Sequence, residues 1–282
     1  MQIIKTIEDM KILSRKIRSE GKTVGLVPTM GYLHKGHLSL VSRSKKTCGF
    51  TVVSVFINPK QFTKNEDLDV YPSSLEKDQK QLENLKVDVL FLPQQETIYP
   101  EGFKTNINVE EITNRLCGIS RPRFFRGVAT IVLKLFNIVH PNKAFFGEKD
   151  RQQLEVIRTM TRDLNLDIEI ESLPLIRERD GLAMSSRNCY LTELERRSAL
   201  SLNRALKVAQ AMVENGESSS ENIKREMRNL ILKEPHTRID YISVCDAETF
   251  ADRERVSGKA VIALAVHVGR ARLIDNCIVE KV

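Results

Sequence analysis

No apolar run in this chain of 282 residues approaches the ~18 to 20 residues that a membrane-spanning helix requires. The N-terminal stretch MQIIKTIEDMKILSRKIRSEGK interleaves charge with apolar residues at helical spacing, and it has neither a continuous apolar core nor a cleavage signal. These absences lead to the expectation of a cytoplasmic protein with no membrane partner. The cysteines Cys48, Cys117, Cys189, Cys245 and Cys277 are scattered, odd in number and never spaced as CxxC. That spacing offers no zinc site and no disulfide framework, and it reads as reduced core or surface thiols, with burial as small apolar residues the favoured reading. There is no internal repeat, and the only biased segment is Ser218 to Ser220, read as a loop. The net charge of +7 is not gathered into an arm or block; basic residues alternate with acids along the whole chain. This spread lowers the case for nucleic acid and leaves anionic small molecules as the natural partners.

The composition, 41% hydrophobic and 29% charged, is that of an ordinary globular protein, and the length suffices for a large domain with a smaller one. From residue 23, β-rich apolar runs alternate with amphipathic stretches: TVGLVPT then HLSLVSRSKK, FTVVSVFI then SLEKDQKQLENL, VDVLFLP and later GVATIVLKLFNIV, KAFFG then DRQQLEVIRTMTRDL, and finally DIEIESLPLI. Short continuous apolar strands between helices predict a parallel, doubly wound α/β sheet covered on both faces. Such sheets bind ligands at the carboxyl ends of their strands. After Arg177 the rhythm changes to a long helix, a polar GESSSEN stretch, a second helix and the strands RIDYISV, AVIALAVHV and ARLIDNCIV. A smaller α+β domain over 177–282, following a first domain over 1–176, is expected.

Five stretches can carry chemistry or binding. In VPTMGYLHKGHLSLV, a strand ends, Gly31 and Gly36 allow a tight turn, and a helix is expected to begin around His37. A helix N-terminus after a glycine turn attracts anions, and His34 and His37, three residues apart, are placed to meet one phosphate. An equal reading of a bare HxGH is a pair of capping or surface histidines. VFINPKQF puts Asn58 and Gln61 in a loop at a strand end, where amides bind hydroxyls or carboxylates or simply make an Asn-Pro turn. FFGEKDRQQL gathers Glu148, Lys149, Asp150, Gln152 and Gln153 at a strand–helix junction, with Lys149 read as a phosphate charge and Asp150 as a helix cap. RERDGLAMSSRN reads as a hydroxyl and guanidinium clamp for triphosphate oxygens or as a Ser-rich linker. The stretch ISRPRFFRGV, with Arg121, Arg123, Arg126 and two phenylalanines, is the best nucleic-acid candidate, although a loop with a core-facing Phe pair explains it better.

Taken in order, PTMGYLHKGH, VFINPKQF, NEDLDVYP, FFGEKDRQQL, IRERDGLAMSSRN and ARLIDN resemble the pantoate–β-alanine ligase (pantothenate synthetase) family over nearly the whole chain. HxGH alone is shared with the wider nucleotidyltransferase superfamily; the other motifs select the family. The resemblance implies a Rossmann-like N-terminal domain, a smaller C-terminal lid and a homodimer. It implies an ATP-dependent ligase in which pantoate attacks the α-phosphate of MgATP and β-alanine then displaces AMP. It assigns ATP contacts to Met30, Gly31, Tyr32, Leu33, His34, Lys35, Gly36 and His37, with His37 as proton donor. Further ATP contacts are assigned to Gly147, Glu148, Lys149, Asp150, Ile176, Met184, Ser185, Ser186 and Arg187. Gln61 and Gln153 are implied for pantoate, Gln61 also for β-alanine, and Asp78 for magnesium. One departure stands out: the family commonly reads Arg-Pro-Gly-His-Phe where this chain has Arg121, Pro122, Arg123, Phe124 and Phe125.

The chemistry agrees with the residues. Adenylation needs no protein nucleophile, because the substrate carboxylate serves as one, so positioning and charge neutralisation are the enzyme's tasks. No cysteine or serine is paired with a base in any motif. Two other readings make different predictions: a cytidylyltransferase leaves the nucleotide on its product, and an RNA-binding module built on RPRFFR binds RNA in a salt-sensitive way.

Overall fold

The structure, a computed structural model, describes residues 1–63 and 66–281. Asn65, the first residue of the NEDLDVYP motif, lies outside the described residues. The chain runs through β1 (Gln2–Ile4), α1 (Ile7–Ser19), β2 (Val24–Thr29), α2 (Lys35–Thr47), β3 (Phe50–Val55), α3 (Leu75–Asn84) and β4 (Val89–Phe91). Then come α4 (Gln95–Ile98), α5 (Cys117–Ser120), α6 (Phe124–Val139), β5 (Lys143–Gly147), α7 (Arg151–Asp163) and β6 (Glu169–Leu173). The remainder forms α8 (Glu193–Glu214), α9 (Ser220–Leu232), β7 (Thr237–Asp246), β8 (Gly258–Val268) and β9 (Ala271–Lys281).

Among the described residues, six strands form a parallel sheet in the order β1-β4-β3-β2-β5-β6. Successive strand residues face opposite ways, so Val27, Val53, Leu90 and Phe145 meet Leu40 and Val41 of α2 and Leu82 of α3 in one cluster. Their neighbours Leu26, Val52, Phe91 and Ala144 are equally buried, which is why these strands read as continuous apolar runs. The expected α/β sheet is therefore present, with helices flanking it. Strand order reverses beside β2, with β3, β4 and β1 on one side and β5 and β6 on the other. In an open parallel sheet that reversal opens the crevice where ligands bind, at the carboxyl ends of β2 and β5. The N-terminus holds a strand where helical spacing alone had been read: β1 pairs with β4 at the sheet edge.

By internal contacts the chain forms two compact units. The first comprises Met1–Val109, Pro122–Glu148 and Gln153–Pro174; the second comprises Glu110–Arg121, Lys149–Gln152 and Leu175–Val282. The sequence suggested one boundary after residue 176, whereas two short segments upstream of it belong with the second unit. That unit carries the antiparallel sheet β7-β8-β9. Ile262, Leu264 and Val266 of β8 pack with Leu202 and Leu206 of α8 and with Ile223 and Met227 of α9. The Ser218 to Ser220 stretch is more than a loop: Ser219 caps α9, its side chain accepting from Asn222 N, and Ser218 Oγ accepts from Arg255. Among the described residues no helix is long and apolar enough to cross a membrane.

Candidate active site

The histidine turn is built from the end of β2. Thr29 Oγ1 donates to Ser54 O (2.9 Å) and accepts from Gly31 N (3.2 Å). Gly31 turns at φ +84°, a conformation that disfavours a Cβ, and one built there lies 3.0 Å from Val55 Cγ1 and 3.2 Å from Asp78 Oδ2. Helix α2 begins at Lys35, earlier than the start around His37 suggested by the sequence, because His34 is its N-cap. Nδ1 of His34 accepts from Gly36 N (3.1 Å), and Nδ1 of His37 accepts from His34 N (3.4 Å). Gly36 is thus a first-turn helical residue rather than a turn residue; a Cβ on it would sit 2.9 Å from His34 Cε1, so glycine makes room for the ring.

The two imidazoles stack with centroids 4.0 Å apart and 27° between planes. Because each Nδ1 accepts a backbone hydrogen, the neutral ring carries its proton on Nε2. The capping role and the phosphate role are therefore compatible: capping fixes the tautomer that makes Nε2 a donor. The first turn of α2 contains no acidic side chain, so its positive end is not neutralised from within.

Gln61 closes a 3-10 turn, Pro59–Gln61, entered from Asn58. Asn58 is fully buried; its Nδ2 donates to Gln61 Oε1 (2.9 Å) and Gly127 O (3.1 Å), and its Oδ1 accepts from Tyr99 Oη (2.9 Å). With Oε1 engaged, the donor end of the Gln61 amide is the Nε2 end, suited to a hydroxyl or carboxylate. Burial pushes the Tyr99 phenol pKa up, which keeps it a donor to Asn58. The turn lies hard against α6: a Cβ on Gly127 would fall 2.0 Å from Lys60 O.

In the first unit β5 ends at Gly147, and Glu148 Oε1 accepts from Ser172 Oγ (3.2 Å). Gln153 is half-buried on α7. In the second unit, Lys149 Nζ lies 3.7 Å from Asp150, and the Lys149 carbonyl accepts from Asn276 Nδ2 (2.9 Å). Arg151 Nε donates to Asn276 Oδ1 (3.3 Å). Of the adjacent glutamines, buried Gln152 serves the fold: its Oε1 accepts from Cys117 N and its Nε2 donates to Ile112 O and Arg115 O. Residues 148–150 form a 3-10 turn rather than opening the α-helix, which starts at Arg151.

The RERDGLAMSSRN stretch is a small ordered hairpin, not a linker. Arg177 bridges Ala183, Met184 N donates to Ile176 O (3.0 Å), and Gly181 makes the turn at φ +96°. The hairpin thus brings Ile176 beside Met184. Arg177 forks onto the buried Asp275 carboxylate at 2.7 and 3.0 Å. Ser185 caps the following 3-10 turn by accepting from Arg187 N (3.2 Å), Ser186 is buried, and Asn188 donates to Glu178 Oε1 and Ala183 O.

Asp78, implied for magnesium, does not fit that role. It is 1% exposed, its Oδ2 accepts from Tyr32 N (2.8 Å) and its Oδ1 from Leu33 N (2.7 Å). A magnesium site needs carboxylate oxygens presented to a hydrated ion, and here both face backbone amides. Burial raises the pKa of this carboxyl, and the two N–H donors oppose that rise. Among the described residues no group of three or more His, Cys, Asp or Glu is arranged to hold a metal. In the RPRFFR stretch, Phe125 is buried and packs edge-on against Phe124, with centroids 4.9 Å apart, so this ring is not a base-stacking platform.

The sequence did not point to Tyr99, Asp275 or Asn276 as positioning groups. The one available signal was the polar pair within the otherwise apolar ARLIDNCIV strand; nothing near Tyr99 marked it.

The profile of the family described as pantoate-beta-alanine ligase matches residues 2–278. A protein named pantothenate synthetase from Caldicellulosiruptor bescii is 54% identical over 280 residues, covering 99% of each chain. A pantothenate synthetase crystal structure from Thermus thermophilus superposes with a TM-score of 0.92 at 41% identity, over 98% of this chain and 99% of that one. The pantoate-beta-alanine ligase of Francisella tularensis, solved in complex with beta-gamma ATP and beta-alanine, matches at TM-score 0.82 and 33% identity, over 99% of this chain and 97% of that one. A match of this extent, joined to a histidine-capped helix at the reversal of a parallel sheet, leads to one conclusion: the chain belongs to the pantoate–β-alanine ligase family.

Proposed function

We infer that this protein is the AMP-forming ligase that condenses pantoate with β-alanine at the expense of ATP, yielding pantothenate. The match to the family from residue 2 to residue 278 carries this reading. In the first step the pantoate carboxylate attacks the α-phosphorus of ATP, forming pantoyl adenylate and expelling pyrophosphate. In the second the β-alanine amine attacks the pantoyl carbonyl, AMP leaves and the amide forms. Magnesium enters as the counter-ion of ATP, as part of the substrate.

The roles are those that the resemblance to the family implies, and the chemistry of each group suits them. The Nε2–H donors of His34 and His37 meet phosphate oxygens, where charge builds as pyrophosphate departs, and His37 supplies the proton. Lys149 adds a point charge, and Ser185, Ser186 and Arg187 hold triphosphate oxygens. The backbone of Met30 to Lys35, with Gly36, Gly147, Glu148, Asp150, Ile176 and Met184, lines the nucleotide. Gln61 and Gln153 hold pantoate, and Gln61 also contacts β-alanine. A cytoplasmic homodimer is the proposed working form.

Pantoate-dependent ATP–pyrophosphate exchange, and AMP release only when β-alanine is added, are the expected results. Turnover with CTP that leaves the nucleotide on the acceptor overturns the reading in favour of a cytidylyltransferase. His37→Ala is expected to lower exchange by about two orders of magnitude or more, the usual effect of removing a transition-state donor. Near wild-type exchange in that variant removes His37 from the site.

A further inference from the structure

We propose that Asp78 is a positioning residue that holds the histidine turn in its phosphate-binding shape through backbone amides. It is not a ligand of magnesium. The proposal rests on the adenylating role given above to His34 and His37. Asp78 comes from α3, distant in sequence from the turn it holds, and its carboxylate is buried. Oδ2 accepts from Tyr32 N at 2.8 Å and Oδ1 from Leu33 N at 2.7 Å, so one anion gathers two consecutive N–H groups.

Those amides belong to the part of the turn that needs holding. Gly31 and Tyr32 both lie at positive φ, +84° and +51°, and a non-glycine residue there is strained unless its surroundings fix it. Lys77, next to Asp78, stands over the Tyr32 ring, with Nζ 5.6 Å from the centroid. Two residues after Tyr32 comes His34, the cap of α2 whose ring tautomer depends on its place in the turn. Losing the clasp therefore displaces the phosphate donors while leaving the pantoate amide at Gln61 untouched.

The test compares the full-length wild type with Asp78→Asn. The carboxamide accepts from one amide but turns its own N–H₂ toward the other, so the clasp is half lost. In pantoate-dependent exchange the expected outcome is a KM for ATP raised about tenfold and a kcat lowered about 100-fold. KM for pantoate and the half-saturating magnesium concentration should stay within about twofold of wild type. A rise of tenfold or more in the magnesium requirement, with ATP binding restored at saturating metal, identifies a metal ligand and overturns the proposal. Unchanged kinetics overturn it as well, and so does a fall in kcat with no change in KM for ATP, the mark of a merely structural role.

Amide exchange on the wild type does not depend on the variant folding or on activity. The Tyr32 and Leu33 amides should be protected without ATP or metal, and exchange at the unstructured rate overturns the proposal. Absence of any pantoate-dependent exchange by the wild type counts against the ligase reading, whereas loss of amide protection counts against the clasp.

Discussion

His34 and His37 show one side chain doing two jobs with two nitrogens. Nδ1 of each ring accepts from a backbone amide at the start of α2, which makes Nε2 the protonated nitrogen of the neutral ring. The two jobs separate by mutation. Asparagine is among the best N-cap residues, so His34→Asn should hold stability within about 0.5 kcal/mol in denaturant unfolding. The same variant should lose about 100-fold in exchange, since the Nε2–H donor proposed for His34 is gone while that of His37 remains. A second residue-scale test concerns Arg123, where the family commonly has glycine. Arg123 is exposed and sits at φ +78° as N-cap of α6, a backbone position that disfavours a Cβ. Arg123→Gly is expected to stabilise the protein by about 1 kcal/mol, read as a higher denaturant midpoint with unchanged slope. The histidine pair was legible in the sequence because its members are neighbours on one turn. Tyr99 was not, because its hydrogen bond to Asn58 exists only after α4 packs beside the loop that follows β3.

At the scale of elements, close approach takes the place of side-chain chemistry. Helix α6 lies so near the Pro59–Gln61 turn that Gly127→Ala drives a methyl into the Lys60 carbonyl, which cannot yield as a flexible side chain would. The expected cost is about 3 kcal/mol of stability. Survivors of that cost should show a raised KM for pantoate, since Gln61 rides on the displaced turn. The end of β7 offers a pH test. Asp246 accepts from the amides of Thr249 and Glu248, from the Thr249 hydroxyl and from Arg253, and these bonds hold its pKa down at about 2 against an ordinary 3.8. A carboxyl whose folded pKa is depressed stabilises above its unfolded pKa, and that contribution disappears as pH falls toward the folded value. Asp246→Asn should therefore cost on the order of 1 kcal/mol at pH 7, after allowance for solvent screening, with the difference from wild type vanishing between about pH 4 and pH 2. Guanidinium titrations at several pH values provide the measurement. Helix α2 itself was readable from sequence, but its first residue was not: a histidine cap is outside the usual Ser, Thr, Asp and Asn signals.

Over the whole molecule, the alternation of short apolar strands with amphipathic helices was enough to foresee the parallel sheet, because burial on both faces writes itself into composition. The edge strand β1 escaped notice, since three residues carry no measurable period and their partner β4 lies far along the chain. The membership of residues 110–121 and 149–152 in the second unit was equally hidden, because it is a matter of contact rather than of composition. One polar residue on β9 accounts for part of it: Asn276 donates to the Lys149 carbonyl and accepts from Arg151 Nε. The strand order has a kinetic corollary. Pairing of β2 with β3 joins near neighbours, but pairing of Gly25 and Leu26 with Lys143 and Ala144 must close a very long loop. As the chain emerges from the ribosome, the histidine turn is complete long before β5 exists. The crevice that gives the turn its purpose forms only with that late, slow closure.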